Sequence, residues 1–412
     1  MDFTLSEAQI AARDLATQLF TGLATTDRVK AVEATSDRVD HDLWKALADA
    51  GLLALVVPEA HGGSGFGVIE ACLVLEQQGR RVAPVPLCST VAGALTLAAY
   101  GTDAQQAKWL PGVASGAVIL ATALDEAGGN DPFTSSVLAL PAGAAGGAGA
   151  GWVLTGVKPG VAAAHVADAI LVPAHLSEGA LGVFIVDQGA PGLSAATAVS
   201  TNRQILSTLT FDSVSVGVDS LIGFPAASAS DGAALRYLVY ATIVMLAAQQ
   251  VGIVEEVTAL AAAYTSTRQQ FGKPLSTFQG VSHRLADNYI NTEAMRVTMQ
   301  AAAWRIANGL DATREVMVAK WWAAEGGHRA IHGAQHVHGG MGADVEYPSH
   351  RYFLWGKQIE MAMGGASAWL ARLGAVLAAQ AVAIIGSSTG AAVVGGSSTG
   401  AADHGGREGR QE

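Results

Sequence analysis

The chain has 412 residues, half of them hydrophobic and only 14% charged, with a net charge of −11. That length holds two or three domains around a large core, and so few charges mean that much of each helix is buried against other protein. The acidic balance excludes non-specific nucleic-acid binding, which needs a basic surface to displace counterions, and two cysteines without a CxxC pair exclude a disulfide framework and a cysteine-rich zinc site.

The start, MDFTLSEAQIAARDLATQLF, lacks the basic residues and apolar block of a signal peptide, and the cysteine usage suits a reducing cytoplasm. Thr4-Leu5-Ser6-Glu7 reads as a capping box that opens an amphipathic helix. Residues 1–118 continue as helices joined by short turns, with PEAHGGSG (58–65) as one connection. From 119 to 225 the pattern changes. VILATALDE, GWVLTGVK, AILVPAHL, GVFIVD and ILSTLTFDSVSV are short, rich in β-branched residues and separated by turn residues, as in a β-domain. A helical period returns over 226–383. Within it, Tyr237–Val254 is the best membrane candidate, but Gln249 and Gln250 interrupt it and Glu255-Glu256 follow, so a buried core helix and no membrane span is expected. The tail, 384–412, repeats GSSTGAA and holds too little apolar area to offset chain entropy, so it is expected to be disordered. The fold class is α+β, mostly α.

His328, His332 and His336 share one helical face, but no HExxH occurs and no carboxylate completes a set, so no metal is expected. No GxSxG elbow marks a nucleophile, and neither GxGxxG nor GxxxxGK[ST] marks a phosphate loop. What remains is a pair of segments, TRQQFGKPLSTFQGVSHRLAD (267–287) and QHVHGGMGADVEYPSHRYFLWGK (335–357). Arg268 can make charge-assisted hydrogen bonds to a pyrophosphate, and Phe271 and Phe278 offer apolar surface to a flat ring. Gly339 and Gly340 let backbone approach a ligand without side-chain obstruction. The plainer reading is a joint between helices carrying a surface arginine.

RxxFGKPLxxFQxVxHxLAD and HGGMGxxxEYPxHRYF together resemble the acyl-CoA dehydrogenase family. DFTLSEAQ, GLLALVVPEAHGGSG, EQQGRRVAPVPL and GTDAQQAKWLPGVASG extend the likeness over residues 1–380. The resemblance implies an N-terminal helical domain, a middle β-domain, a C-terminal four-helix bundle, and FAD as cofactor. It also implies a reaction in which a carboxylate removes the α-proton of an acyl-CoA thioester while the β-hydride goes to the flavin.

The chain departs from that family where the chemistry occurs. Counting from EYP (346–348), the base position falls on Met363-Gly364, and the family's other base position falls on Thr242. Neither side chain accepts a proton near neutral pH. LDEAGGNDP (124–132) stands where the family has TEPGAGSD, and KPGVAAAH (158–165) puts Gly160 where a tryptophan covers the flavin. Gly365 and Ser367 stand where polar Thr and Gln are frequent. In the family each flavin lies between two subunits. This chain has lost most of the set that one subunit supplies and kept the set its neighbour supplies: Arg268, Gln270, Phe271, Phe278, His336, Gly339 and Gly340, with His336 in place of a glutamine.

The resemblance therefore implies one subunit of a heteromeric, cytoplasmic FAD-dependent dehydrogenase, α2β2. Its homologous partner subunit carries the base, an acyl-CoA is the substrate, and an electron-transferring flavoprotein or similar carrier is the acceptor. HRYFLWGKQ and GGAS resemble the actinobacterial members acting on steroid side chains. Two alternatives stand: a homomeric enzyme with its base moved to Glu360 or Asp344, and a non-catalytic acyl-CoA-binding scaffold. The catalytic residues are unassigned.

Overall fold

The computed structural model describes residues 1–128, 131–142, 151–176, 179–226 and 231–393. Six helices come first: α1 (Glu7–Leu23), α2 (Thr26–Glu33), α3 (His41–Asp49), α4 (Val68–Arg81), α5 (Leu87–Tyr100) and α6 (Asp103–Ala114). The capping box of α1 lies two residues later than the sequence suggested. The Ser6 hydroxyl accepts from the Gln9 N–H and the Gln9 side chain accepts from the Ser6 N–H. This register buries Ala12, Ala16 and Phe20 along one stripe, and Thr4 is engaged by Asp2 instead.

Seven strands form the middle sheet: β1 (Leu120–Thr122), β2 (Leu138–Pro141), β3 (Trp152–Ala162), β4 (Ala169–His175), β5 (Leu181–Asp187), β6 (Leu193–Val199) and β7 (Ile205–Val216). Their order is β1-β4-β2-β3-β7-β6, with β5 on β4. Strand β4 is buried along nearly its whole length, which explains its unbroken apolar run. The sequence patterns missed β2 and β6. LSAATAV in β6 is exposed along almost all of its length, so no alternation of apolar residues marks it, and pairing with β7 alone sets it.

The last block holds α7 (Ala233–Thr267), a two-stranded turn β8 (Gln269–Gln270) and β9 (Lys273–Pro274), α8 (Gln279–Ala307), α9 (Thr313–His338), α10 (Ser349–Met361) and α11 (Ala366–Val393). Helix α7 passes the length and hydropathy test for a membrane span, yet 83% of its apolar window is buried in protein, as a core helix requires. A second stretch, Ser349–Gln380, passes the same test with 17% of its window buried. Helices α4 and α7 approach through glycine: a methyl at Gly79 would stand 2.0 Å from the Gln249 carbonyl oxygen, and one at Gly252 2.0 Å from that of Glu76.

The chain to Leu370 forms one compact unit and Ala371–Glu412 a second. Residues 384–393, expected within a disordered tail, continue helix α11. Residues 394–412 of that tail lie outside the described residues.

Candidate functional site

Two surfaces of the chain carry the residues singled out above, and α7 runs between them. The first is a cavity of about 170 Å³ where the helical block, the sheet and the bundle meet. Thr242 of α7, Met363 of the α10–α11 turn, Gly160 of β3 and Asp125 after β1 all line it. The fold thus brings together both positions at which a base was sought and both altered sheet loops. Thr242 donates its hydroxyl to the Leu238 carbonyl 2.7 Å away, inside its own helix. Met363 is buried and non-polar. Glu360 does not line the cavity; its carboxylate pairs with Lys357 at 2.6 Å and His328 at 3.1 Å. Asp344 does not line it either, and caps the Glu346 N–H in an exposed turn.

The carboxylate that does reach the cavity is one the motifs did not single out. Asp125 Oδ1 accepts the Met363 N–H at 3.3 Å. Burial pushes the Asp125 carboxyl up from its ordinary value, and the Met363 N–H, Lys320 and Lys158 oppose that rise. Lys158 is fully buried and bound to Glu126. Lys320 is fully buried too, donating to the Ile359 and Glu360 carbonyls at 2.9 and 3.2 Å. Its ammonium is brought down to about 7 by burial, against the attraction of Glu360 and Asp125. The Gly129-Asn130 part of the LDEAGGNDP loop lies outside the described residues.

The second surface lies at the other end of α7. Arg268 caps that helix and is exposed, with no ion pair among the described residues. Twenty-six residues separate it from Thr242, roughly 39 Å along a continuous helix. The turn that follows carries Gln270, then Phe271 at φ 53° and Gly272 at φ 77°. Phe271 is 91% exposed and meets Phe278 edge to face at 6.1 Å, while Lys273 Nζ sits 4.4 Å over the Phe278 ring. Helix α9 ends at the same end of the bundle. His338 stacks on Tyr264 at 5.0 Å and lies 5.3 Å from Tyr347. Next come Gly339 at φ 58° and the exposed Gly340, with nothing within 4 Å of a methyl built on either. The carbonyl of His336 accepts the Gly339 N–H, and its imidazole is exposed. Arg351 clamps this segment from behind, bidentate to Glu33 of α2 at 3.0 and 2.9 Å and donating to the Val345 carbonyl at 3.3 Å.

The histidine face considered for metal is otherwise engaged. His328 and His332 lie 4.2 Å apart, and His332 meets Phe353 at 4.9 Å. Among the described residues no three His, Cys, Asp or Glu side chains stand together as a metal site.

Comparison with known proteins decides the family. Residues 6–117 match the model described as "Acyl-CoA dehydrogenase, N-terminal domain", and residues 239–378 the one described as "Acyl-CoA dehydrogenase, C-terminal domain". The chain belongs to the acyl-CoA dehydrogenase family. It is 38% identical to Acyl-CoA dehydrogenase FadE27 of Mycobacterium tuberculosis over 387 residues, 92% of this chain and 99% of that protein. Among solved structures it resembles a variant of the Tcur3481-Tcur3483 steroid ACAD (43% identity, TM-score 0.85, 92% of this chain and 100% of that one). It also resembles the ChsE4-ChsE5 complex from Mycobacterium tuberculosis (36% identity, TM-score 0.83, 92% and 99%).

The family is one of flavoprotein oxidoreductases, and FAD is the cofactor. The two surfaces fit it unequally. The Arg268–Gly339 end offers a cation with no ion pair among the described residues, the exposed Phe271 ring and open backbone. The cavity offers the carboxylate of Asp125 and, at Gly160, no side chain.

Proposed function

We propose that this chain is the non-redox half of a heteromeric acyl-CoA dehydrogenase, completing the flavin site of a homologous partner that holds the base. The observation that carries the reading is the spacing along α7. The retained cofactor residues stand roughly 39 Å from the cavity in which both base positions are occupied by Thr242 and Met363. Residues so far apart on one rigid helix serve different ligand sites.

In this reading Arg268 neutralises a phosphate of the partner's FAD, Phe271 and Phe278 cover apolar parts of it, and Gly339 and Gly340 approach it through backbone. Gln270 and His336 supply hydrogen bonds at its edge. FAD, when bound, would supply the hydride acceptor for the acyl chain. This chain's residues hold it and keep water from it, and the partner's carboxylate takes the α-proton. Its likeness to a steroid ACAD and to the ChsE4-ChsE5 complex supports a steroid side-chain CoA thioester as substrate and a two-protein assembly. The proposed assembly is α2β2 and cytoplasmic, with an electron-transferring flavoprotein as acceptor.

The test is expression alone and with the partner. The chain alone should purify nearly free of flavin, and co-expression should give one FAD per two chains with dehydrogenase activity. Met363→Leu should leave the activity of the complex unchanged. A homotetramer of this chain with stoichiometric FAD and activity of its own would overturn the reading.

A further inference from the structure

Asp125 lines the cavity between Gly160 and Met363. Its two oxygens face two different elements. Oδ1 holds the Met363 N–H at 3.3 Å, and Oδ2 stands 3.3 Å from the point where a Cβ at Gly160 would lie. Gly160 sits at φ 67°, a backbone conformation that disfavours any side chain. The absence of a side chain at 160 and the carboxylate of 125 are therefore one feature: the glycine leaves the volume and the aspartate takes it.

The two buried lysines whose charges act on Asp125 are each bound to other groups. Lys158 is committed to Glu126, and Lys320 to the carbonyls that end α10. Asp125 itself has no ion pair among the described residues. A planar ring entering between Gly160 and Met363 would strip Asp125 of its backbone donor and of water together, leaving a buried acid without a partner.

We infer that Asp125 is a specificity-determining residue that excludes flavin from this chain's own cavity, so that the heteromer carries FAD only at the sites it completes for its partner. The inference rests on the heteromer proposed above. It adds that exclusion is imposed by one side chain, by volume and charge, and not only by the loss of a tryptophan and a base.

The experiment is FAD titration of the purified heteromer, followed by flavin absorbance and by counting bound FAD after denaturation. The wild-type complex should saturate at one FAD per two chains. Asp125→Ala, which removes both volume and charge, should reveal a second class of site binding at least tenfold tighter than any excess binding by wild type. Asp125→Asn keeps the volume and removes the charge, so a gain in Asn as well as Ala assigns the effect to charge, and a gain in Ala alone to volume. Either result supports the gate. If both variants keep the wild-type circular dichroism and elution volume and still saturate at one FAD per two chains, Asp125 is not the gate. A wild-type complex that already binds one FAD per chain would instead overturn the heteromer reading itself.

Discussion

The imidazole of His338 lies on the phenol ring of Tyr264, 5.0 Å between centroids and 28° between planes, and joins the ends of α9 and α7. His338 Nδ1–H donates to the Ala334 carbonyl at 2.7 Å, which leaves Nε2 buried without a partner among the described residues. A protonated ring would bury a charge there, so burial holds its pKa below the ordinary value, against the pull of the Ala334 carbonyl. Because Gly339 is the next residue, this stack sets where the glycine platform begins.

His338→Ala should destabilise the chain by about 2–4 kcal/mol, since the vacated ring volume lies between two tyrosines. His338→Phe should restore most of that. The sign of the pH effect follows from the lowered pKa. Below about 6.5 the unfolded chain takes up a proton that the folded one resists, so wild-type stability falls as pH drops through that value. Urea midpoints of both proteins at pH 5 and 7.5 check this: the Phe variant should lack the histidine part of the slope.

Gly339 and Gly340 should separate strain from binding. Alanine at 339 must adopt φ 58° with ψ −136°, a region that disfavours side chains, and should cost about 1–3 kcal/mol in thermal unfolding. Alanine at 340 meets nothing within 4 Å and should stay within about 0.5 kcal/mol of wild type. Yet if backbone here touches the cofactor, Gly340→Ala should still weaken FAD retention by the heteromer. Unchanged retention would remove Gly340 from the site.

Arg268→Gln changes an exposed residue with no ion pair among the described residues, so stability should move by no more than about 0.5 kcal/mol. FAD affinity of the heteromer should fall roughly tenfold to a hundredfold, as loss of a charge-assisted phosphate contact of about 1.5–3 kcal/mol implies. Fluorescence of released flavin on dilution measures it.

Lys320 gives a second pH signature, of the same sign but in a higher range. Its ammonium is lowered to about 7 in the fold, so the cost of burying the charge is full below 7. That cost is relieved as pH rises toward the ordinary lysine value, at most about 1.4 kcal/mol per pH unit. Relative to Lys320→Met, wild type should therefore gain stability steadily from pH 7 to 9.5. A difference independent of pH would show that the amine is charged throughout and acts only by capping the Ile359 and Glu360 carbonyls.

The sequence by itself determined the helix–sheet–helix order, the family and the pieces of the candidate site, because each rests on local patterns. The 3.6-residue period, the β-branched runs and the FGKPL and HGGMG segments are all read within about twenty residues of chain. Burial of α7 was legible as well, since an apolar run broken by Gln249 and Gln250 suits packing between helices. Strand β6 was not legible, because an exposed strand carries no alternation.

Only the tertiary structure decided which residues share a surface. Thr242, Met363 and Gly160 are far apart in the chain and meet in one cavity, whereas Thr242 and Arg268 belong to one helix and stand roughly 39 Å apart along it. It also brought forward Asp125, Lys320, Tyr264 and the Glu33–Arg351 clamp, whose partners lie tens to hundreds of residues away. The physical reason is that a side chain's charge state and room depend on what packs against it. A carboxylate in a loop reads as a solvated turn until the fold places Met363 N–H on one oxygen and an empty glycine beside the other.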